Sequence, residues 1–181
     1  QEAKKDVIIE ESKIDISGLS SQAEGNIVED KIKEIIFLHS QGLLNVYKPV
    51  CDSEGIDLIV IKNGIFQPIF IQVKSRYNLN NEQVIIRIKK KNLNPHHTYF
   101  IIGAYFNTTN LDIEDYILFL PTLSLEKEAG VVKTKKGEEY YDVRFDIKNK
   151  SKNKYAKFII RKFELVQKLI EKFGEIERYI K

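Results

Sequence analysis

The stretch over residues 55–76, GIDLIVIKNGIFQPIFIQVKSR, constrains the fold of this chain more than any other. Two runs rich in β-branched residues flank Asn63-Gly64, and Asn-Gly between such runs is the strongest short-range signal for a β-hairpin. A two-residue loop would place Asp57 opposite Phe70. Pro68 cannot donate to a strand ladder and could lengthen the loop, but any loop of even length keeps the same side chains on the same face.

The hairpin sorts its side chains onto two faces, because they alternate along a strand with a period of two. One face carries polar groups that no apolar core requires, namely Asp57, Gln72 and Lys74. The other face is apolar and can join a core; it holds Leu58, Val60, Ile69, Ile71 and Val73. The alternation therefore predicts one polar cluster on a hairpin whose other face is buried.

The size and composition of the chain indicate one folded domain. Its 181 residues are enough to bury about two thirds of the unfolded surface, and 43% hydrophobic against 30% charged residues excludes a disordered chain. A single cysteine, Cys51, excludes an internal disulfide, indicates a reducing compartment and is expected to be buried. No run approaches the roughly 18 apolar residues of a membrane span, so we expect a cytoplasmic protein with no membrane partner. Methionine is absent even at position 1, so we expect a processed chain or a piece of a longer protein.

Hydrophobic periodicity predicts two amphipathic helices beside the hairpin. The first covers residues 25–40, with Ser21 or Asn26 as its cap, and Glu29 falls at the edge of its apolar stripe, where a carboxylate can reach a neighbouring sheet. A long C-terminal helix is marked by apolar residues at helical spacing: Leu165, Leu169, Phe173, Ile176 and Ile180. A short helix is predicted at residues 122–129.

The same reading predicts further strands over residues 44–50, 84–90, 98–106, 116–120 and 141–147. Residues 98–106 form a continuous apolar run, which is typical of a buried central strand. In the strand at 141–147, strict alternation predicts a solvent-exposed face made of Asp142, Arg144 and Asp146.

The net charge of +3 is distributed unevenly. Residues 133–181 hold 15 Lys and Arg against 8 Asp and Glu, and residues 148–162 hold seven basic residues and no acid. Such a block is either a footprint for a polyanion or a solvated loop that leads into a helix. The basic residues that we expect to contact phosphates, which give affinity without base information, are Arg76, Arg87, Lys89, Lys90, Lys91, Lys154 and Lys157.

Helix, strand, hairpin and buried strand follow in an order that resembles the PD-(D/E)xK nuclease superfamily, in a QxK variant. The matching residues are Gly25-Asn26-Ile27-Val28-Glu29 on the helix, Gly55-Ile56-Asp57 on the second strand and Ile71-Gln72-Val73-Lys74-Ser75 on the third. No single piece is specific, but order, spacing and hairpin face agree over residues 24–106. The resemblance implies an α/β fold with a restriction endonuclease-like core: a central mixed β-sheet flanked by helices, with additional C-terminal strands and a long C-terminal helix. We expect a single nuclease-like domain over residues 1–181, with a basic C-terminal extension at 133–181.

The activity that the resemblance implies is that of a metal-dependent DNA endonuclease, restriction-like or repair- or resolvase-like. Phosphodiester hydrolysis needs a divalent cation that polarises phosphoryl oxygens and lowers the pKa of the attacking water. Magnesium, with manganese as a substitute, keeps several waters, so one or two carboxylates suffice. By the family pattern, Asp57, Gln72, Glu29 and the main-chain carbonyl of Val73 would bind the metal, and Lys74 would orient the water or stabilise charge in the transition state. The partner would be duplex or branched DNA; dimerisation is common where both strands must be cut, so a homodimer is among the expected arrangements.

The chain departs from the family pattern at Gln72, where the family usually has Asp or Glu. An amide oxygen can ligate a cation but brings no charge, so metal affinity should fall unless Glu29 or Glu54 compensates. A second departure is the lack of a clear helix between the hairpin and the buried strand, where residues 89–93 could be a short remnant.

These departures leave two alternatives to the enzyme. The first is a catalytically inactive module on the nuclease fold that binds nucleic acid or another partner. The second is an unrelated α/β interaction domain in which Asp57 and Lys74 form an ion pair.

Overall fold

The computed structural model of the chain describes residues 13–51, 54–147 and 153–180. Its helices are α1 (Ser21–His39), α2 (Leu125–Glu128) and α3 (Leu165–Ile180). Its strands are β1 (Leu44–Tyr47), β2 (Leu58–Lys62), β3 (Ile69–Arg76), β4 (Gln83–Lys89), β5 (Tyr99–Asn107), β6 (Asp112–Ile113), β7 (Tyr116–Pro121), β8 (Gly130–Lys133), β9 (Glu139–Asp146) and β10 (Ile159–Arg161). None of the helices in these ranges is long and apolar enough to cross a membrane.

A mixed sheet runs through the middle of the molecule in the strand order β1-β2-β3-β5-β7-β10, with β6 paired to the end of β5. β3 and β5 are parallel, and the other neighbouring pairs in this sheet are antiparallel. The predicted central strand is therefore confirmed as β5, in the middle of the sheet. The expected α/β fold class, with a central mixed sheet, flanking helices and a C-terminal helix, is confirmed as well.

The predicted hairpin exists as β2 and β3, but its register is displaced by two residues. Phe70 lies opposite Ile59 rather than opposite Asp57, and Leu58 lies opposite Ile71. The loop is longer than the minimal one because β3 begins only after Pro68, which has no N–H for the ladder. Since the displacement is even, the predicted faces survive, and the apolar face of the hairpin is buried.

The two long helices cover one face of the main sheet. Four residues of α1 that the periodicity selected, Val28, Ile32, Ile35 and Ile36, are buried there, together with Leu165, Leu169, Phe173 and Ile176 of α3. Removing each of these side chains from water contributes about 1.5–3 kcal/mol. This core holds α1 against β1 and β3, and it therefore determines where the first turns of α1 lie relative to the hairpin.

The first helix begins earlier than predicted. Ser20 is its N-cap, with Oγ accepting from the Ala23 N–H at 3.2 Å, so the predicted caps Ser21 and Asn26 lie inside the helix. At the other end Gln41 and Gly42 both have positive φ, 52° and 78°, and the Gly42 N–H donates to Phe37 O at 3.3 Å. This left-handed end is typical of a helix C-terminus.

A second, three-stranded sheet in the order β4-β9-β8 covers the opposite face of the main sheet. Its inner face carries Val84, Ile86, Ile88, Tyr141, Val143 and Phe145, all buried. The close approach depends on Gly103 of β5, where an added Cβ would lie 2.9 Å from Phe145 Cε1. Sequence periodicity identified β4 and β9 as strands but could not show that they pair with each other, 55 residues apart at Arg87 and Asp142.

Two short helical expectations are present in the structure, and two expectations about burial differ from it. The remnant expected at residues 89–93 is a single 3₁₀ turn, Lys90–Asn92, and the short helix predicted at residues 122–129 is a 3₁₀ turn followed by α2. Cys51 is exposed rather than buried. Asp142, which was expected on a solvent-exposed face, is buried between two arginine side chains.

Candidate functional site

A cleft of about 510 Å³ opens beside the hairpin, at the end of the sheet where β2 begins and β3 ends. Four segments distant in sequence meet around it: Glu29 from α1, Lys48 from the turn after β1, Asp57 just before β2, and Lys74 from β3. Three of the predicted site residues, Glu29, Asp57 and Lys74, therefore line one cavity, together with Val73.

Asp57 is held in place by the edge of β3. Its main-chain N–H donates to Ile71 O at 2.9 Å, and its carboxylate Oδ2 accepts from the Val73 N–H at 2.6 Å. Hydrogen bonds to a charged acceptor are short and about twice as strong as neutral ones, so the carboxylate is fixed in one orientation. The ladder between β2 and β3 thereby positions an acid at the wall of the cleft.

Lys74 is half-buried at the boundary between this cleft and a smaller neighbouring one. No residue in the described part of the chain forms a hydrogen bond or ion pair with its ammonium group. The ion pair between Asp57 and Lys74, which the unrelated-domain alternative expected, is therefore absent from these residues. An unneutralised cation at a cleft wall can stabilise negative charge on a ligand.

Glu29 lies in the cleft with a lysine as its partner. Lys48 Nζ is 3.1 Å from Glu29 Oε2 and 3.0 Å from Asp30 Oδ1. Burial lowers the pKa of Lys48, but hydrogen bonds to Asp30 and Glu29 outweigh it and raise the pKa above its ordinary value of 10.5. The hydrogen bond from Lys48 lowers the pKa of Asp30. Lys48 is thus charged and bound to Glu29 at neutral pH.

Sequence reasoning missed Lys48, although it lines the same cleft as the predicted acids. It follows β1 directly, in a stretch that periodicity shows only as the end of an edge strand. Its position depends on the pairing of β1 with β2, which places the end of β1 beside α1. No local signal at Lys48 marks it as a partner of Glu29.

Gln72, the residue that departs from the family pattern, is buried with 7% of its surface exposed. Its Oε1 atom has no hydrogen-bond partner among the described residues. It lines the smaller cleft, of about 180 Å³, with Glu54, Lys74 and Arg87. The predicted polar cluster is therefore divided between two adjoining cavities, with Asp57 in one, Gln72 in the other and Lys74 in both.

Gly55 lies directly over the Gln72 side chain. Its φ of +73° lies in the left-handed region that favours glycine, and an added Cβ would be 2.3 Å from Gln72 Nε2. The Tyr99 hydroxyl donates to Gly55 O at 2.9 Å and secures this turn. A glycine here leaves the space that the Gln72 amide occupies.

The donor set of the larger cleft fits a hard divalent cation. Two carboxylates line it, from Glu29 and Asp57. The buried Gln72 Oε1, which lacks a hydrogen-bond partner among the described residues, lies in the adjoining smaller cleft. Magnesium keeps several waters and takes one or two carboxylates, so the carboxylates of Glu29 and Asp57 are enough protein ligands for this ion. Within the described ranges no group of three or more His, Cys, Asp or Glu side chains forms a metal cluster. The arrangement therefore accommodates a water-rich cation better than a fully protein-coordinated one.

Most of the basic residues predicted to contact phosphates have protein partners. Lys89 pairs with Glu138, whose pKa this hydrogen bond lowers, while Lys90 pairs with Glu139 at 3.1 Å. Arg76 Nε donates to Ile85 O at 2.7 Å, and Arg87 Nε donates to Asp142 at 3.3 Å. Lys157 pairs with Glu128, and Lys154 lies over the Tyr155 ring. Lys91 is exposed. Arg87 and Lys89 line the smaller cleft beside Lys74. Of the basic block over residues 148–162, residues 148–152 lie outside the described residues.

Comparisons with known proteins support the architecture. A scan against protein-family models finds no match, and no curated protein matches by sequence. Among solved structures, the bacterial homing endonuclease I-Ssp6803I is similar with a TM-score of 0.57 over 90% of this chain and 99% of that chain, at 14% sequence identity. At this identity the likeness establishes the fold: the chain has the α/β fold of a known endonuclease.

Proposed function

We propose that this protein is a metal-dependent DNA endonuclease of the PD-(D/E)xK superfamily. The observation that carries the proposal is the meeting of Glu29, Asp57 and Lys74 in one cleft, with the Lys74 ammonium left without an ion-pair partner among the described residues. A solved structure of the same fold is that of a homing endonuclease, which supports a nuclease on this fold. The substrate class that we propose is DNA.

In this proposal Asp57, Glu29 and the Val73 carbonyl would hold a magnesium ion, or manganese in its place, in the larger cleft, and Gln72 Oε1 would reach it from the adjoining smaller cleft. The ion would polarise the phosphoryl oxygens and lower the pKa of a bound water. Asp57 contributes a carboxylate that the Val73 N–H already orients, which reduces the reorganisation needed on binding. Glu29 can contribute only when its bond to Lys48 loosens.

Lys74 has a separate role in the proposal. Its ammonium donates to the attacking water or to a phosphate oxygen, where negative charge develops in the transition state. Because the described residues give it no partner, it does not have to break an ion pair first. Its effect should therefore appear in the rate of cleavage and hardly at all in the stability of the fold.

Cleavage of supercoiled plasmid with magnesium or manganese tests the proposal. We expect nicked or linear product from the wild type, and a rate lower by about 10²–10³-fold in Asp57→Ala and in Lys74→Ala. Lys127→Ala, which removes an exposed lysine elsewhere, is the matched control and should cut at the wild-type rate. Thermal unfolding of each variant distinguishes a lost activity from a lost fold. Cleavage that persists unchanged in both site variants would overturn the proposal.

A homodimer belongs to the same proposal, because cutting both strands of a duplex calls for two sites. Size-exclusion chromatography with light scattering, with and without a duplex, measures the stoichiometry. A monomer that only nicks one strand would retain the nuclease proposal and remove the dimer from it.

Two observations favour a second candidate, a catalytically inactive module that binds nucleic acid. Gln72 brings no charge, and Lys48 already neutralises Glu29 in the cleft. Gln72→Glu separates the candidates, because an added carboxylate should raise metal affinity about tenfold or more if a metal binds here. We expect tighter magnesium binding by calorimetry in this variant. DNA binding without cleavage in every metal, and no metal binding even by Gln72→Glu, would favour the inactive module.

A further inference from the structure

The second sheet presents a polar face away from the core. Alternation along β4 and β9 buries Val84, Ile86, Val143 and Phe145 against the main sheet, so the residues between them point outward. The outward residues of β4 and β9 pair across the strands as Gln83 with Asp146, Ile85 with Arg144, Arg87 with Asp142 and Lys89 with Tyr140. We call these eight residues the outer face.

Two arginines on the outer face share one buried carboxylate. Arg144 Nε donates to Asp142 Oδ2 at 2.7 Å, and Arg87 Nε donates to Asp142 Oδ1 at 3.3 Å. The Asp142 side chain is 8% exposed, whereas each arginine side chain is 55% exposed. Within the described residues the terminal Nη groups of both arginines have no partner. One carboxylate therefore aligns two guanidinium groups and leaves their outer edges available.

This arrangement differs from ordinary phosphate contacts. A lysine that neutralises a phosphate needs reach and charge but no fixed plane, whereas a guanidinium fork must be oriented to make two hydrogen bonds at once. Guanine offers such a pair of acceptors, O6 and N7, in the major groove of duplex DNA. Holding Arg87 and Arg144 at Nε reduces the side-chain entropy lost when their Nη groups bind.

The size of the outer face also matches this partner. The major groove of B-form DNA is about 12 Å wide and admits a two-stranded β-ribbon. β4 and β9 pair over seven residues and supply such a ribbon, with β8 at its side. The deep, narrow major groove of A-form RNA excludes a ribbon of this width, which argues for DNA over RNA.

The outer face is continuous with the candidate active site. Arg87 and Lys89 line the same cleft as Gln72 and Lys74. A duplex whose major groove holds the outer face would therefore have a backbone passing close to Lys74. Base contacts and the cleavage position would then be a short distance apart on the DNA.

We propose that the outer face reads duplex DNA in the major groove, with Arg87 and Arg144 each contacting a guanine and Asp142 orienting both. Arg87 pairs with Asp142, and Arg144 lies two residues further along β9, so the arginines are diagonal neighbours roughly 7–8 Å apart at their backbones. This spans about two base steps of roughly 3.4 Å. The inference rests on the proposed function for its choice of DNA and names the sequence-reading part of that site.

Selection of preferred sequences from a randomised duplex pool, carried out in EDTA so that no cleavage intervenes, tests the proposal. We expect the wild type to enrich two guanines about two base steps apart. Arg87→Lys and Arg144→Lys keep the charge and lose the planar fork, so each should lose about tenfold of the preference at one guanine. Total affinity for unselected duplex should stay close to the wild-type value. Arg178→Lys, in the C-terminal helix, is the matched control and should keep the full preference.

Of the four remaining outcomes, the first three overturn the inference and the last retains it. Unchanged sequence preference in both lysine variants would show that the arginines read no base. Preference for RNA or for single strands, or no duplex binding at all, would exclude the groove. A wild type that cuts plasmid, with a cut-site sequence unaffected by the variants, would reject this inference and retain the nuclease. A wild type that never cuts but shows the arginine-dependent preference would retain this inference and reject the nuclease.

Discussion

The larger cleft and the outer face of the second sheet are both polar, but they satisfy their charges in opposite ways. In the cleft, Lys74 has no ion-pair partner among the described residues, and Gln72 Oε1 lies buried nearby without a hydrogen bond from them. On the outer face, Asp142 holds both Arg87 and Arg144. Unsatisfied buried polar atoms are rare in folded proteins, so Gln72 Oε1, beside a Lys74 that no described residue pairs with, marks this place for a ligand.

The difference teaches that charge density alone is a poor guide to function in this chain. The basic residues that stood out in the sequence, Lys89 and Lys90, are neutralised by the neighbouring glutamates Glu138 and Glu139. Lys74, which has no such partner among the described residues, belongs to a stretch that is not especially basic. What separates the two groups is the set of partners that the fold brings to each.

The largest expected effect sharpens this contrast at Lys74. Lys74→Ala should lower the cleavage rate by about 10²–10³-fold and change the free energy of unfolding by less than about 0.5 kcal/mol, because no interaction with a described residue is lost. Cleavage assays and urea denaturation of the same preparation measure the two quantities. A large loss of stability in Lys74→Ala would show that Lys74 has a structural partner and that the cleft does not differ from the outer face in this respect.

The turn over Gln72 provides the second test. Gly55→Ala should destabilise the fold by about 2–3 kcal/mol, since the new Cβ meets the Gln72 amide and φ is positive. Displacement of Gln72 should also lower metal affinity. Gly18→Ala is the control, because nothing lies within 4 Å of a Cβ there. Equal stabilities of the two variants in denaturant unfolding would mean that the Gln72 side chain moves away without cost.

On the outer face, denaturant unfolding should show a smaller loss of stability than at Gly55. Asp142→Asn should cost about 1–2 kcal/mol of stability, because two charge-assisted hydrogen bonds from Arg87 and Arg144 become weaker. Asp115→Asn is the control, because this side chain is 75% exposed and its ion pair with Lys162 is long, at 3.9 Å. A null effect on unfolding would show that the arginines do not depend on Asp142.

The smallest expected effect concerns pH. The hydrogen bond from Lys48 lowers the pKa of Asp30 below its ordinary value of 3.8, so its contribution to stability is present above that pH and is lost as the pH falls through the lowered pKa. Lys48→Met should therefore be less stable than the wild type near neutral pH and approach it in acid. Unfolding curves over a pH series, with Lys127→Met as control, measure this. A stability difference that stays constant down to strong acid would show that the hydrogen bond from Lys48 does not lower the pKa of Asp30.

A large part of the fold could be predicted from the sequence, because local hydrophobic periodicity marks most of the strands and both long helices. Alternation identified β3, β4 and β9, and helical spacing identified the buried faces of α1 and α3. It did not identify β8, β6 or β10, which are short or lack a clear alternating pattern. It could not show that β4 and β9 form a second sheet, because the pairing of distant strands leaves no local signal.

For the candidate site, local sequence pattern was enough to show which side chains share a face of the hairpin and which edge of the first helix carries Glu29. Side-chain periods of two and of 3.6 residues are properties of the backbone, and an even change of register preserved them. The three-dimensional packing was needed to show that Lys48 contacts Glu29, that Gln72 lies in a separate cleft from Asp57, and that Asp142 binds two arginines. These contacts join segments far apart in the chain, so their energies depend on packing that no local pattern contains.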